Sequence, residues 1–329
     1  MIGARITGVG VALPERDLTN FEVGQMIGRD AAWIEARTGI SSRRIAGEGE
    51  TTAGLGIAAA ERALDAAGLS GDQIDVIICA TVTSDLRFPA TACLIQAALD
   101  SRAAAFDLNA GCSGFLYALA QADAAVRSGM ARRVLVVGAE VLSRITDAND
   151  PGTSILFGDG AGAVVVEVAG NGRSLGPFLL FSDGSNPGLL FVDDATDTMR
   201  MNGREVYRAA VAGMTDSVRR LFVSTGIGPD DVDLVIAHQA NGRILAAVGD
   251  RLGLPPGKMF SNIARHGNTS SASIPIALAE AAETGVLEDG DLVVLVAFGA
   301  GFVWGAGLIP WGPSGVAPHE ATAKERVRA

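Results

Sequence analysis

The chain repeats itself. The segment LDAAGLSGDQIDVIICA, Leu64 to Ala80, lines up with LFVSTGIGPDDVDLVIAH, Leu221 to His238. Gly68 falls against Gly226 and Asp75 against Asp233, at one common offset. VLVV at Val134 to Val137 meets VLVA-type sequence near Val294 at nearly the same spacing. Self-similarity over half a chain marks two homologous units, each a repeat of one supersecondary plan.

Within a unit, helical patterns alternate with short β-branched runs. Thr51 to Ala67 reads as a helix ended by Gly68, and Ile74 to Thr81 as a buried strand. Thr91 to Leu99 reads as helix, Ala105 to Leu108 as strand, Ser113 to Ser128 as helix and Arg133 to Val137 as strand. Near-continuous apolar strands between helices predict an α/β fold with sheets covered on both faces. The divide between the units is placed near Glu167 to Gly172, giving halves 1–168 and 169–310. Residues 311–329 lose all periodicity and are expected to be a mobile tail.

Composition narrows the class. Hydrophobic residues make up 48% of 329, charged residues 19%, and mean hydropathy is +0.31, which excludes a disordered chain. A net charge of −11 argues against a nucleic-acid partner, which needs clustered Lys and Arg. The apolar stretch from Leu292 to Val303 falls short of the roughly 20 residues of a membrane-spanning helix. The glycine-broken N-terminus lacks the long apolar run of a signal peptide, so a cytoplasmic protein is expected. Three unevenly spaced cysteines make neither a disulfide framework nor a CxxC zinc or redox motif, and no metal-ligand cluster is recognisable. Glycine is the outlier: 42 residues is about 13%, against a usual ~7%, and implies many tight turns and close backbone approaches.

Few residues can carry chemistry. His319 lies in the tail, which leaves His238 and His266. His238 follows the apolar run LVIA, at the strand end where α/β sheets collect ligands, although a satisfied structural histidine would sit there equally well. His266 lies in RHGNTSSAS, where a structural role is at least as natural. Cys79 and Cys93 stand in apolar runs and read as inert core thiols. Cys112 follows a strand, sits in the turn NAGCSG and opens an apolar helix. A helix N-terminus favours the thiolate and the turn exposes it for attack. The plainer alternative is a small buried residue at a tight turn. Gly158 to Ala163 formally fits G-x-G-x-x-A but runs into the strand VVVEV, whereas a dinucleotide fingerprint must open a helix.

Several motifs agree in order. NAGCSGF around Cys112, HQAN at His238, HGNTSSASIP around Asn268 and GAGFVWG from Gly299 resemble the β-ketoacyl-acyl-carrier-protein synthase III family. WIEARTGISSRRI at Trp33 and FGDGAGAVV at Phe157 extend the resemblance over about Met1 to Pro310. The family implies a thiolase-like five-layer αβαβα fold built from two similar halves, usually as a homodimer. It also implies that Cys112, His238 and Asn268 form a catalytic triad. Cys112 would take an acyl group from a thioester, and the acyl-enzyme would condense with malonyl-acyl carrier protein as carbon dioxide leaves. His238 and Asn268 would stabilise the enolate, and backbone N–H groups of Cys112 and Ala300 would form a second oxyanion hole. No cofactor or metal is implied; coenzyme A and acyl-carrier-protein thioesters are substrates.

The same resemblance places Trp33 and Arg37 against coenzyme A, and Arg243, supported by Arg208, at the mouth used by acyl carrier protein. Leu142, Phe157 and Leu189 would line the acyl pocket, with Phe88 entering from the neighbouring subunit. Some positions depart from the pattern. Pro151 replaces an arginine, Asp250 stands where some members have lysine, Gly242 replaces a larger apolar residue, and Asp183 to Gly203 is short. Two other readings stay open. One is transfer from Cys112 to a non-malonyl acceptor, which would release no carbon dioxide. The other is a non-catalytic heterodimer partner, which the intact Cys112, His238 and Asn268 set disfavours.

Overall fold

The computed structural model describes residues 3–170 and 174–312; the expected tail from 313 onward lies outside them. The chain opens with β1 (Gly3–Ala12), then β2 (Asp17–Thr19), α1 (Asn20–Ile27), α2 (Ala31–Thr38) and β3 (Ser42–Arg44). It continues through α3 (Thr52–Ala67), β4 (Val76–Ala80), α4 (Thr91–Ala98), β5 (Ala104–Leu108), α5 (Gly114–Arg127), β6 (Arg133–Glu140) and β7 (Gly160–Ala169). Next come β8 (Phe178–Ser182), a hairpin of β9 (Leu190–Asp193) and β10 (Thr198–Met201), the long α6 (Gly203–Thr225), β11 (Leu234–Ala237) and α7 (Gly242–Leu252). The last elements are β12 (Met259–Phe260), α8 (Ile263–His266), α9 (Ser273–Glu283), β13 (Leu292–Gly299) and β14 (Val303–Pro310).

The repeat in the sequence reappears as a repeat in topology. One sheet has the order β1-β7-β6-β4-β5, and the other runs β8-β14-β13-β11-β12 when read from its antiparallel end. In each, the first two neighbouring pairs are antiparallel and the last two parallel. Matched residues do matched work. Gly68 and Gly226 are both left-handed C-caps, of α3 and α6, at φ +66° and +72°. Asp75 precedes β4 and accepts N–H bonds from Arg132 and Arg133; Asp233 precedes β11 and accepts one from Leu292. Each aspartate therefore ties the start of one central strand to the start of its parallel neighbour.

Alternation along the strands builds five layers. Val76, Ile78 and Ala80 face a core shared with Phe115 and Leu116 of α5 and Ile274 and Leu278 of α9, while Ile77 and Cys79 face α3. In the second sheet Val293, Leu295 and Ala297 face that same central core, whereas Val294 and Val296 face α6 and α7. Strands buried on both faces read as continuous apolar runs, and these do. The order is thus helices, sheet, α5 with α9, sheet, helices.

Part of the glycine excess lies where β1 meets α3. A Cβ on Gly8 or Gly10 would overlap the carbonyl oxygens of Ala63 and Ala59, so a side chain there would force the helix off the strand. Two expectations need correction. Order continues past Pro310, because Trp311 exchanges backbone hydrogen bonds with Asp291 and Gly290 and packs on the central core. β5 is an edge strand with Phe106 42% exposed, so that sheet is not covered throughout. Among the described residues no helix is long and apolar enough to cross a membrane.

Candidate active site

Cys112, His238 and Asn268 line one cavity of about 1060 Å³, reached from segments far apart in the chain. Cys112 follows β5, His238 follows β11, and Asn268 precedes α9. Tethers between the halves fix their meeting. Ser113 Oγ donates to the Val303 carbonyl (2.9 Å), and Ser271 Oγ donates to the Ala80 carbonyl at the end of β4 (2.8 Å). Asn268 exchanges main-chain hydrogen bonds with the segment before β7, its N–H reaching Leu156 and its carbonyl accepting from Gly158.

The Asn268 carboxamide is oriented by its own loop. Its Oδ1 accepts the Ser270 N–H at 2.9 Å, which leaves the NH₂ end available as donor. His238 is 1% exposed, and burial alone pushes its imidazole down to about 3, so the ring is neutral at physiological pH. Its Nδ1 lies 2.7 Å from Ser273 Oγ.

Cys112 departs from the sequence-based expectation of a thiolate. The α5 cap is Ser113, so the thiol lies one residue outside the helix. Although it keeps some accessible surface on the cavity wall, the surrounding protein pushes it up to about 11; Ser270 pulls the other way and the Glu140 charge adds to the rise. Glu140 is fully buried, and burial raises its own pKa. It accepts hydrogen bonds from the Thr83 and Ser270 hydroxyls and from the Val82 N–H, and Ser271 Oγ lies 2.8 Å from it. A lone acid in the run VLVVGAEV could have pointed to it.

Backbone donors approach closely beside the thiol. A Cβ on Gly111, whose φ is +51°, would stand 2.9 Å from the Ala300 nitrogen, and one on Gly299 would stand 2.6 Å from the Cys112 nitrogen. Only glycines allow the Gly299–Gly301 turn to close on the Cys112 turn.

The wall and mouth are unequal. Leu142 and Phe157 line the cavity; Leu189 does not, and its neighbour Leu190 does. Met199 and Met201 from the β9–β10 hairpin, with Val206 and Ala210 from α6, complete an apolar wall that motif reading missed. Phe88 is 86% exposed and stands outside this chain's cavity lining. At the mouth lie Trp33, Arg37, Arg208 and Arg243, together with Pro151. The Arg37 guanidinium sits 4.0 Å over the Trp33 ring, and Arg208 pairs with Glu205 at 2.9 Å. Gly242 has a local reason: a Cβ there would lie 3.1 Å from the Thr38 carbonyl, where α7 starts against the end of α2.

His266 ends α8 and its Nε2 is 3.1 Å from Glu280, away from the cavity lining. Gly158 to Ala163 leads into β7 as expected. Among the described residues no group of three or more His, Cys, Asp or Glu could hold a metal ion.

Comparison with known proteins matches residues 106–184 to the model of 3-oxoacyl-[acyl-carrier-protein (ACP)] synthase III and residues 223–311 to that of its C-terminal part. The chain is 50% identical over 324 residues to the β-ketoacyl-[acyl-carrier-protein] synthase III of Agrobacterium fabrum, covering 94% of this chain and 100% of the relative. Its structure is similar to the 3-oxoacyl-[acyl-carrier-protein] synthase III of Aquifex aeolicus, with TM-score 0.91 and 46% identity over 94% of this chain and 100% of that one. It is also similar to the priming β-ketosynthase of the R1128 polyketide pathway, with TM-score 0.89 and 37% identity over 94% and 97% of the two chains.

Proposed function

The chain belongs to the β-ketoacyl-[acyl-carrier-protein] synthase III family, an acyl-transferring condensing enzyme with a thiolase fold, and on that premise we propose that it joins an acyl starter to malonyl-acyl carrier protein in fatty-acid synthesis. The observation that carries this reading is a thiol, a neutral imidazole and a carboxamide on the wall of one largely apolar cavity with a basic mouth.

The reaction is ping-pong. Cys112 attacks the thioester of acyl-coenzyme A or acyl-acyl carrier protein, the carrier thiol departs with the Cys112 proton, and an acyl-Cys112 thioester remains. Malonyl-acyl carrier protein then enters. Its carboxylate leaves as carbon dioxide, and the electron pair of the broken bond becomes an enolate. His238 and the Asn268 NH₂ donate to the enolate oxygen, and a dry apolar site makes such donors effective. The enolate carbon attacks the acyl carbonyl, whose oxygen turns towards the N–H groups of Cys112 and Ala300. Cys112 is expelled, takes up one proton, and the β-ketoacyl product leaves on the carrier. Trp33, Arg37, Arg208 and Arg243 receive the carrier, and no metal or cofactor takes part.

A second copy of the chain completes the site. Edge strand β5, with Phe106, Leu86 and Phe88 exposed at 42%, 48% and 86%, supports a homodimer joined across β5, with Phe88 entering the other acyl pocket. The halves 1–168 and 169–310 supply, respectively, the nucleophile and the enolate donors.

Carbon dioxide release tests the reading. Malonyl-acyl carrier protein labelled at the carboxyl group should lose its label only when an acyl starter is present and Asn268 is intact. Acyl transfer to an acceptor without label loss would replace condensation by simple acyl transfer.

A further inference from the structure

We propose that Ser273 is a positioning residue that sets the tautomer of His238, holding its proton on Nε2. The inference rests on the condensing reading for its consequence, though not for its geometry. Ser273 opens α9, and both it and His238 are buried, at 2% and 1% exposure. Its Oγ lies 2.7 Å from Nδ1, within strong hydrogen-bond range. The Gln239 N–H points at the same oxygen from 3.4 Å, so Oγ already has a donor.

The question is where the Ser273 hydroxyl proton goes. Some helical hydroxyls in this chain donate back one turn, as Ser217 does to the Met214 carbonyl and Thr225 to Leu221, while Thr52 at the start of α3 donates across to the Thr83 carbonyl. Among the described residues Ser273 makes no such bond, and Nδ1 is the acceptor in reach. A buried hydroxyl that left its proton unpaired would lose free energy, so it donates to Nδ1. Nδ1 is then a bare acceptor, and the neutral ring carries its one proton on Nε2.

This has a chemical consequence. An imidazole with Nε2–H can donate to a developing enolate oxygen, but it cannot take the Cys112 proton at that nitrogen. Ser273 therefore commits His238 to the decarboxylating half-reaction and leaves acyl loading independent of it.

The test is nitrogen-15 NMR of histidine-labelled full-length protein, with His238 assigned by its own substitution among three histidines. The expected wild-type spectrum has a protonated Nε2 and a bare Nδ1; a proton on Nδ1 overturns the proposal whether or not any variant folds. In Ser273→Ala the bare Nδ1 loses its hydrogen-bond donor, so its nitrogen-15 resonance should shift, and an unshifted Nδ1 resonance would overturn the assignment to Ser273. Malonyl decarboxylation should fall at least roughly tenfold in that variant, the scale of one lost hydrogen bond, while Cys112 acylation changes little. Equal losses in both half-reactions with an unshifted Nδ1 resonance would mean a merely structural serine and overturn the proposal. A wild-type enzyme that loads no acyl group would overturn the condensing reading instead, with the tautomer measurement still standing.

Discussion

A Cβ on Gly299 would stand 2.6 Å from the main-chain nitrogen of Cys112, closer than any real side chain approaches. The two residues belong to different halves of the chain, and their backbones meet where an acyl carbonyl would be attacked. Replacing Gly299 by alanine should push the turn carrying Ala300 off the Cys112 N–H. Acyl loading should slow about 10²-fold or more, as when an oxyanion donor is lost, in a variant whose circular dichroism is unchanged. Loading at the wild-type rate would contradict the backbone assignment.

Burial pushes the Cys112 thiol up to about 11, so little thiolate exists at neutral pH. The rate of Cys112 alkylation by iodoacetamide, followed by intact mass, should climb about tenfold per pH unit from pH 7 to pH 10 because the thiolate is the nucleophile. A rate that levels off above about pH 9 would show an ordinary exposed thiol.

His238 titrates in the opposite sense. Its folded-state value is lowered from 6.5 to about 3, so below pH 6.5 the unfolded chain binds a proton that the folded ring refuses. This contribution is absent above pH 6.5, and stability is lost as pH falls from there towards 3. A His238→Gln variant should be spared on the order of 2 kcal/mol of the loss between pH 7 and pH 4.5. Urea unfolding at both pH values measures it; parallel losses in the two proteins would contradict a buried neutral ring.

The β5 edge supplies another expectation. A charge on it, as in Phe106→Glu, should convert a dimer to a single-chain species in light scattering and lower activity with it. A wild-type protein that runs as a monomer at micromolar concentration would remove the proposed contribution of Phe88.

Much of this fold was legible in the sequence because duplication constrains topology: Gly68 and Gly226 cap equivalent helices, and Asp75 and Asp233 tie equivalent strands. Local motifs also located Cys112, His238 and Asn268, which share the cavity. Local sequence carried less about environment. The turn NAGCSG announces a helix start, but the protein enclosing the thiol comes partly from the Gly299 turn and from Ser270, remote in the chain. Ser273 lay in a string of small polar residues with nothing to mark which one meets His238. The methionines of the β9–β10 hairpin joined the cavity wall only through tertiary folding.

The most direct test is intact-protein mass spectrometry after mixing with acyl-coenzyme A or acyl-acyl carrier protein, followed by malonyl-acyl carrier protein. An acyl adduct should form on the wild type, be absent in Cys112→Ala, and be discharged as β-ketoacyl-acyl carrier protein. An adduct that persists in Cys112→Ala, or that malonyl-acyl carrier protein leaves in place on the wild type, would contradict the account.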